Sequence, residues 1–325
     1  MGRIHHPRRG SLAFRPKTRA RRIYPRIRTR AECSEIKALD FSGYKVGMTH
    51  IKTIESRKES VNFNKEVTKA VTVIECPSLK IVGIRTYKNN AYGPVTLQDI
   101  WTKDLDKDLK RSGITGKMPS DITKLKLDDI SDIVLIAHMT PRVTGVSKKK
   151  PEVFEIGVGG ATIEDKIKFA KEKLGTELNI SDVFSEGDSV DVLGVTKGHG
   201  FSGVVTRYGV KTGPDSGEKN RRKAGNLGPF TPRKTRYTVP QAGGFGYHNR
   251  TEVNKRIMKI SDNPEEINVS GGFKNYGEIK STFIIIMGSV PGPAKRLIRF
   301  RNQIRPQRYE YNKPDITYIS KENKQ

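Results

Sequence analysis

Positive charge in this chain is confined to three segments, and that confinement limits what the polypeptide can fold into. Residues 1–30 hold 11 Lys or Arg and no acid, residues 194–260 hold 14 against 3, and residues 291–325 hold 9 against 3. The rest of the chain is balanced at a net −2, although the whole stands at +26. Like charges crowded together oppose compaction by self-repulsion, so such segments need a polyanion to order them. Hydrophobic residues make up only 34% of the 325, enough for a folded body but not for cores within the basic segments.

Nucleic acid is the polyanion that fits, because each phosphate neutralised releases condensed counterions. A membrane surface would require an amphipathic helix or a lipid anchor beside the basic run. Pro7, Gly10, Pro16 and Pro25 break any helix in residues 1–30, and His6 stands where a myristoylation pattern wants Ser or Thr. The same prolines spoil the amphipathic helix of a mitochondrial leader. No apolar run reads as a signal peptide or approaches the roughly eighteen residues of a membrane span. Cys33 and Cys76 are too few for a disulfide framework or a four-cysteine zinc site, and are expected to be reduced thiols of a cytosolic protein.

Residues 1–30 read as an extended arm. Short β-like runs follow at Tyr44–Thr49, Ala70–Cys76 and Ile81–Tyr87, rich in Val, Ile and Thr and punctuated by Gly and Pro. That spacing suits a small barrel or sandwich. From about residue 96 the texture changes. Trp101–Arg111 reads as helical, with Leu105 and Leu109 one turn apart, and Ile133–His138 and Val153–Gly157 read as neighbouring strands. Thr162 is placed as an N-cap, with Asp165 three residues on, for a helix through Ile163, Ile167, Ala170 and Leu174 that Gly175 ends. Strands return at Ser189–Val195, Gly203–Arg207 and Thr282–Met287, and Leu297–Arg301 alternates apolar residues with Arg, as a half-exposed strand would.

The tract from 194 to 260 carries the functional reading. Twelve of its 67 residues are glycine, and between Glu218 and Glu252 there are eight basic residues and no acid. Tyr208, Phe230, Tyr237, Phe245, Tyr247 and His248 are interleaved with them. Arg and Lys suit phosphates, flat rings suit unpaired bases, and glycine lets backbone approach closely, a mixture that fits RNA. Run out and back, about twenty residues each way at ~3.3 Å could span roughly 65 Å. A disordered basic tether would share this charge, but such tethers usually lack aromatics.

Within this tract the sequence becomes recognisable. Val195-Thr196-Lys197-Gly198-His199-Gly200-Phe201-Ser202-Gly203-Val204, the run Gly243-Gly244-Phe245-Gly246-Tyr247-His248-Asn249-Arg250-Thr251-Glu252 and Asn254-Lys255-Arg256 resemble signatures of the universal large-subunit ribosomal protein L-three family. Arg8-Arg9-Gly10-Ser11-Leu12-Ala13-Phe14, Gly43-Tyr44-Lys45-Val46-Gly47-Met48-Thr49 and Gly272-Phe273 match in the same order. The long arm and the insertion resemble the archaeal and eukaryotic branch. The resemblance implies a closed six-stranded β-barrel of the translation-protein type, with an insertion and rRNA-penetrating extensions. It implies binding to large-subunit (23S-type) rRNA near its 3′ end, a part in early subunit assembly, and a central loop directed towards the peptidyl transferase centre. The loop tip of relatives often reads Gly-x-Trp. Here it is Gly228-Pro229-Phe230, which keeps a stacking face but lacks the indole N–H donor.

Other signals were weighed. Gly157-Val158-Gly159-Gly160 follows a strand and precedes a helix, but Thr162 stands where a dinucleotide fingerprint needs its third glycine. His199 and His248 have almost no carboxylate or cysteine neighbours in sequence to make a catalytic or metal site, and are expected to be RNA contacts or packed polar groups. His5 and His6 sit among arginines that repel cations. Lys148-Lys149-Lys150 and the acids Asp128, Asp129 and Asp132 read as surface charge.

The expected fold is mainly β with an α+β insertion. Residues 1–35 form a basic extension, 36–95, 185–207 and 250–300 the barrel core, and 96–184 the inserted subdomain. Residues 208–249 form the long loop and 301–325 the tail. The expected function is that of a structural constituent of the large ribosomal subunit, in the cytoplasm, with no catalytic residue, cofactor, metal or small-molecule substrate and no membrane. Its partners are large-subunit rRNA and other large-subunit ribosomal proteins. Another basic RNA- or DNA-binding module is the alternative, and duplex DNA against structured rRNA at matched salt discriminates the two. An RNA-modifying enzyme stands third, and would need a cofactor pocket. Expected RNA contacts on the arm are Arg3, Arg8, Arg9, Arg15, Lys17, Arg19, Arg21 and Arg22. At the loop's base they are Lys197, His199 and Phe201, and along the loop Lys219, Arg221, Arg222, Lys223, Phe230, Arg233, Lys234 and Arg236. The returning limb adds Tyr247, His248, Arg250, Lys255 and Arg256.

Overall fold

The structure, a computed structural model, describes residues 14–115, 130–231, 233–306 and 313–322. The chain divides into two compact units, Met1–Arg22 with Val195–Arg250, and Ile23–Gly194 with Thr251–Gln325. The described strands, in chain order, are β1 (Asp40–Ile54), β2 (Glu66–Glu75), β3 (Leu79–Asn90), β4 (Gly93–Trp101), β5 (Asp132–Met139), β6 (Glu152–Gly157) and β7 (Glu177–Leu178). There follow β8 (Ser189–Val195), β9 (Gly198–Ser202), β10 (Gly243–Gly246), β11 (Asn249–Ser261), β12 (Phe283–Met287), β13 (Leu297–Asn302) and β14 (Ile316–Ile319). Two α-helices, α1 (Ile163–Lys173) and α2 (Val204–Tyr208), are short beside them. The protein is mainly β.

The larger unit holds two sheets. In the first the order is β13-β8-β11-β12-β2-β1-β14, and β13 also pairs with β1, so six strands follow one another in a cycle. Cyclic pairing gives each of those strands a hydrogen-bonded neighbour on either side, which leaves less free edge to template aggregation. The length of β1 makes this arrangement work. It pairs with β13 through Asp40–Tyr44, with β2 from Tyr44 to Ile54, and with β14 at Ile51–Thr53. Runs such as Val190–Val195 and Phe283–Ile286 are buried without alternation, because both faces of these strands are covered. At Gly47 a Cβ would lie 3.0 Å from the Phe273 ring, so glycine leaves space for that ring and joins two of the motif segments.

The second sheet runs β4-β3-β5-β6, with β7 on β3. Helix α1 packs on β5, and the Thr162 hydroxyl accepts from Asp165 N at 3.3 Å, the capping expected from sequence. One core serves both sheets, with Phe41, Val73, Leu135, Ile156, Ile167 and Phe300 all in it.

Several expectations need correction. Leu79–Asn90, assigned to the barrel core, pairs with β4, β5 and β7 in the second sheet, which therefore begins well before residue 96. Trp101–Arg111 is not one helix. Strand β4 ends at Trp101, and a 3₁₀ helix covers Lys107–Ser112, stopped by Gly113 in the left-handed region. Trp101, Leu105 and Leu109 meet in a small satellite core with Val82 and Ile136, which satisfies their apolar faces without a continuous helix. Gly203–Arg207 is not a strand: Val204–Tyr208 is a helical turn and a half, closed by Gly209 at φ 64°.

Strand β13 is buried on both faces, not half-exposed. Arg301 donates through Nε and Nη2 to Asp191 at 3.2 and 3.0 Å, and through Nη1 to the Thr29 carbonyl and hydroxyl. Arg299, 1% exposed, donates to the Glu155 carbonyl and lies over the Phe154 ring, and burial lowers its guanidinium pKa to about 10. These two arginines belong to the core. The third basic segment is thus partly a folding device.

Candidate nucleic-acid interface

The smaller unit is built from the arm and the long tract. Antiparallel β9 and β10 form its stem, with Gly244 opposite Phe201 and Gly246 opposite Gly198. At Gly246 (φ 75°) a Cβ would meet the Lys197 carbonyl at 2.1 Å, so no larger residue fits this turn. Arg207, carried on α2, clamps the stem by donating to the Gly244 and Gln241 carbonyls at 3.0 and 2.9 Å. The arm is pinned beside the returning limb. Ala20 N donates to the Tyr247 carbonyl at 2.8 Å, and Tyr247 N to the Lys197 carbonyl at 3.0 Å.

His248 is the bolt of this assembly. Only 6% exposed, its backbone N donates to the Thr196 hydroxyl, and its ring donates from Nδ1 to the Thr18 carbonyl at 2.8 Å. Against the expectation of an RNA contact, the His248 ring is buried, with Nδ1 holding the arm and Nε2 shielded from solvent without a partner. Arg256, also expected as a contact, is 2% exposed and lies in the larger unit. Lys255 is half-buried and ion-paired with Glu252 at 3.5 Å. In the larger unit Arg26 pairs with Glu155 and Arg30 with Asp40, so among the described residues the run of arm cations without acid partners ends near Arg22. Arg3, Arg8 and Arg9, with His5, His6, Asp128 and Asp129, lie outside the described residues.

The remaining expected residues stand at the surface of the smaller unit. Arg19, Arg21, Arg22, Lys197, His199, Lys219, Arg221, Arg222, Lys223, Arg233, Lys234 and Arg236 are exposed. Arg19 lies 5.1 Å over the Tyr247 ring, and Arg221 pairs with Asp215. Phe201 is 81% exposed and Phe230 76%, the latter with Arg233 stacked 4.5 Å over its ring. His199 stacks on Phe245 at 5.2 Å, which fixes an aromatic platform beside Phe201 on the stem. Arg15, Lys17 and Arg250 are half-buried on rings. Sequence reasoning left Phe14, Arg207 and Tyr208 off the contact set. Tyr208 stands among the tract's aromatic rings, while for Arg207 and Phe14 the only signal was position, just after the stem's first limb and at the close of an Arg-rich motif.

The glycine run Gly157–Gly160 makes no nucleotide cradle. A Cβ at Gly157 would lie 2.1 Å from the Arg30 side chain and one at Gly159 2.6 Å from the Glu35 carbonyl, so these glycines admit the chain's own N-terminal segment. Among the described residues no His, Cys, Asp or Glu cluster could hold a metal, and no helix is long and apolar enough to cross a membrane.

Exposed cations and rings along the arm and loop of the smaller unit mark a strongly basic structural protein. Comparison with known proteins makes this specific. A family model described as ribosomal protein L3 matches residues 1–325. The protein named large ribosomal subunit protein uL3 from Archaeoglobus fulgidus is 44% identical over 99% of this chain and 99% of its own length. Those of Picrophilus torridus and Methanocaldococcus jannaschii are also 44% identical, over 100% and 99% of this chain and 99% and 98% of theirs. The chain belongs to the ribosomal protein L3 family. It is a ribosomal structural protein, not an enzyme.

Proposed function

We propose that this protein is a cytoplasmic constituent of the large ribosomal subunit that binds 23S-type rRNA near its 3′ end, acts early in subunit assembly, and sends its central loop towards the peptidyl transferase centre. The observation that carries the reading is the smaller unit, where exposed cations and exposed rings alternate along one loop. Cations on phosphates position the chain, and rings on unpaired bases follow the splayed regions of folded RNA. The cyclic order of six strands supports a barrel of the translation-protein type as the body, with the inserted subdomain starting at Leu79 rather than residue 96. The expected contacts that remain are the arm cations, Lys197, His199, Phe201, the loop cations, Phe230, Tyr247 and Arg250. Other large-subunit ribosomal proteins are the expected protein neighbours.

Cross-linking in purified large subunits tests the reading, by mapping residues 197–236 to rRNA positions. Cross-links only to proteins, or equal affinity for duplex DNA and large-subunit rRNA at matched salt, would refute it. Phe230 gives a sharper test. Its ring is exposed and carries Arg233 over its face, so Phe230→Ala is expected to change stability by less than about 0.5 kcal/mol while lowering the translation activity of subunits that contain it. A melting shift as large as that of a core truncation would mean that Phe230 is structural.

A further inference from the structure

Within the smaller unit three cations face one ring. The guanidinium of Arg15 lies 4.6 Å, the ammonium of Lys17 4.9 Å and the guanidinium of Arg207 5.2 Å from the Tyr208 centroid. Arg250, over the Phe14 ring at 4.0 Å, adds its field. Among the described residues none of these four is ion-paired with an acid. A ring face attracts cations weakly at a half-exposed site, and repulsion among charges this close outweighs it. Burial, and then the charges of Arg250, Arg207 and Arg15, hold the Lys17 ammonium below the usual lysine range. Arg15 spends Nη1 on the Tyr237 carbonyl, whereas its Nε and Nη2 are shielded from solvent and have no acceptor. Such a cluster is incomplete without an anion.

We propose that Arg15, Lys17 and Arg207 form one composite site for a single backbone phosphate of RNA, made of arm and loop stem together. The inference rests on the rRNA-binding reading and deepens it. Lys17 supplies the mobile point charge that meets the phosphate, and Arg15, whose Nε–Nη2 edge is covered by protein atoms, adds its uncompensated charge to the site. Arg207 contributes its charge from the stem while its donors hold the hairpin. Tyr208 keeps the three side chains gathered until the phosphate arrives. Neither the arm nor the stem has the whole site, so the two bind as one element.

The test uses full-length protein and large-subunit rRNA, with affinity followed against salt for Lys17→Gln, Arg207→Gln and the double variant. Each single change is expected to lower the salt slope by about one, and the double to match either single, because removing one member already dissolves the site. A double variant that loses twice as much would place the two cations on separate phosphates and overturn the proposal. Arg207→Gln also breaks stem hydrogen bonds, so Arg207→Lys is the companion, expected to keep most of the slope. If the lysine variant loses as much as the glutamine one, stem geometry and not charge is responsible, and the shared site fails. Singles without effect, beside an arm truncation that still weakens binding, would sink this site but leave rRNA binding standing. A truncation without effect would sink the reading beneath it. Acylation of Lys17 distinguishes the phosphate source: rRNA is expected to protect it, and equal protection by inorganic phosphate at the same ionic strength would mean a small-anion site.

Discussion

Removing Met1–Arg22 is expected to cost this protein most of its salt-sensitive affinity for rRNA while leaving the larger unit folded. The segment carries eight Lys or Arg and no acid. Each phosphate contact contributes ~0.7–0.9 to the slope of log K against log salt, so losing eight cations lowers that slope by up to about 7. Between ~50 and 200 mM salt, a protein with contacts of this number loses roughly 10³–10⁵ in affinity, and the truncated chain forgoes that dependence. The cut belongs at Arg22 and not at Arg30. Pro25 and Ile27 are buried, Arg26 pairs with Glu155 and Arg30 with Asp40, so a longer deletion would damage the larger unit and confuse binding with folding. Binding isotherms of full-length and truncated chains across that salt range check this, with thermal unfolding as the control. An unchanged slope would mean that the arm does not touch phosphate.

The arm also shows where charge reasoning overreached. Concentrated like charge was expected to order only against a polyanion, yet Ala20, Thr18 and Arg15 are already hydrogen-bonded to the returning limb and loop of the same unit. Main-chain and carbonyl acceptors supply that order without any acid. The polyanion is then needed less to fold the arm than to relieve the repulsion that folding creates around Tyr208.

What the sequence made legible was local. Runs of Val and Ile marked the strands, and Thr162, Asp165 and Gly175 marked α1, the one long helix among the described residues. The acid-free stretch between Glu218 and Glu252 marked the loop. What it hid was non-local. Arg299 and Arg301 alternate with apolar residues as a half-exposed strand would. Only partners 110 to 272 residues away, Asp191, Glu155 and Thr29, show that both are inside. Val204-Val205-Thr206 has a β-branched composition, yet a run so short has no period to decide helix from strand, and Gly209 settles it by closing a turn. Leu79–Asn90 was recognisable as a strand but not as a member of the second sheet, since sheet membership is a choice of partner. The Tyr208 cluster unites residues from both ends of the unit's sequence, so no window of the chain could reveal it.

The same non-locality governs stability at Glu75, whose loss is expected to be the most damaging single change in the larger unit. This carboxylate ends β2, opposite Tyr44 and Phe283, and is fully buried. Its Oε1 accepts from Lys280 N at 2.8 Å, Ser281 N at 3.0 Å and the Ser281 hydroxyl at 2.9 Å. Its Oε2 accepts from Gly145 N at 3.3 Å and from the Tyr276 phenol, whose own pKa is pushed up by burial and by the carboxylate. Five donors from two connecting segments therefore converge on one acceptor-only group. Glu75→Ala removes the acceptor and strands those donors in the interior, where each orphaned group costs ~1–3 kcal/mol before relaxation. With partial repair by water the net loss should be about 3–5 kcal/mol, the range for breaking one side of a buried polar network. That is a large share of the roughly 5–15 kcal/mol that holds a domain together. Glu75→Gln keeps one acceptor but turns a donor towards Gly145 N or Tyr276, and should lose clearly less. Denaturant unfolding of the three proteins gives the comparison. If Glu75→Ala loses under ~1 kcal/mol, water satisfies the connecting segments as well as the carboxylate does, and the ring is held by its strand pairing and apolar core instead.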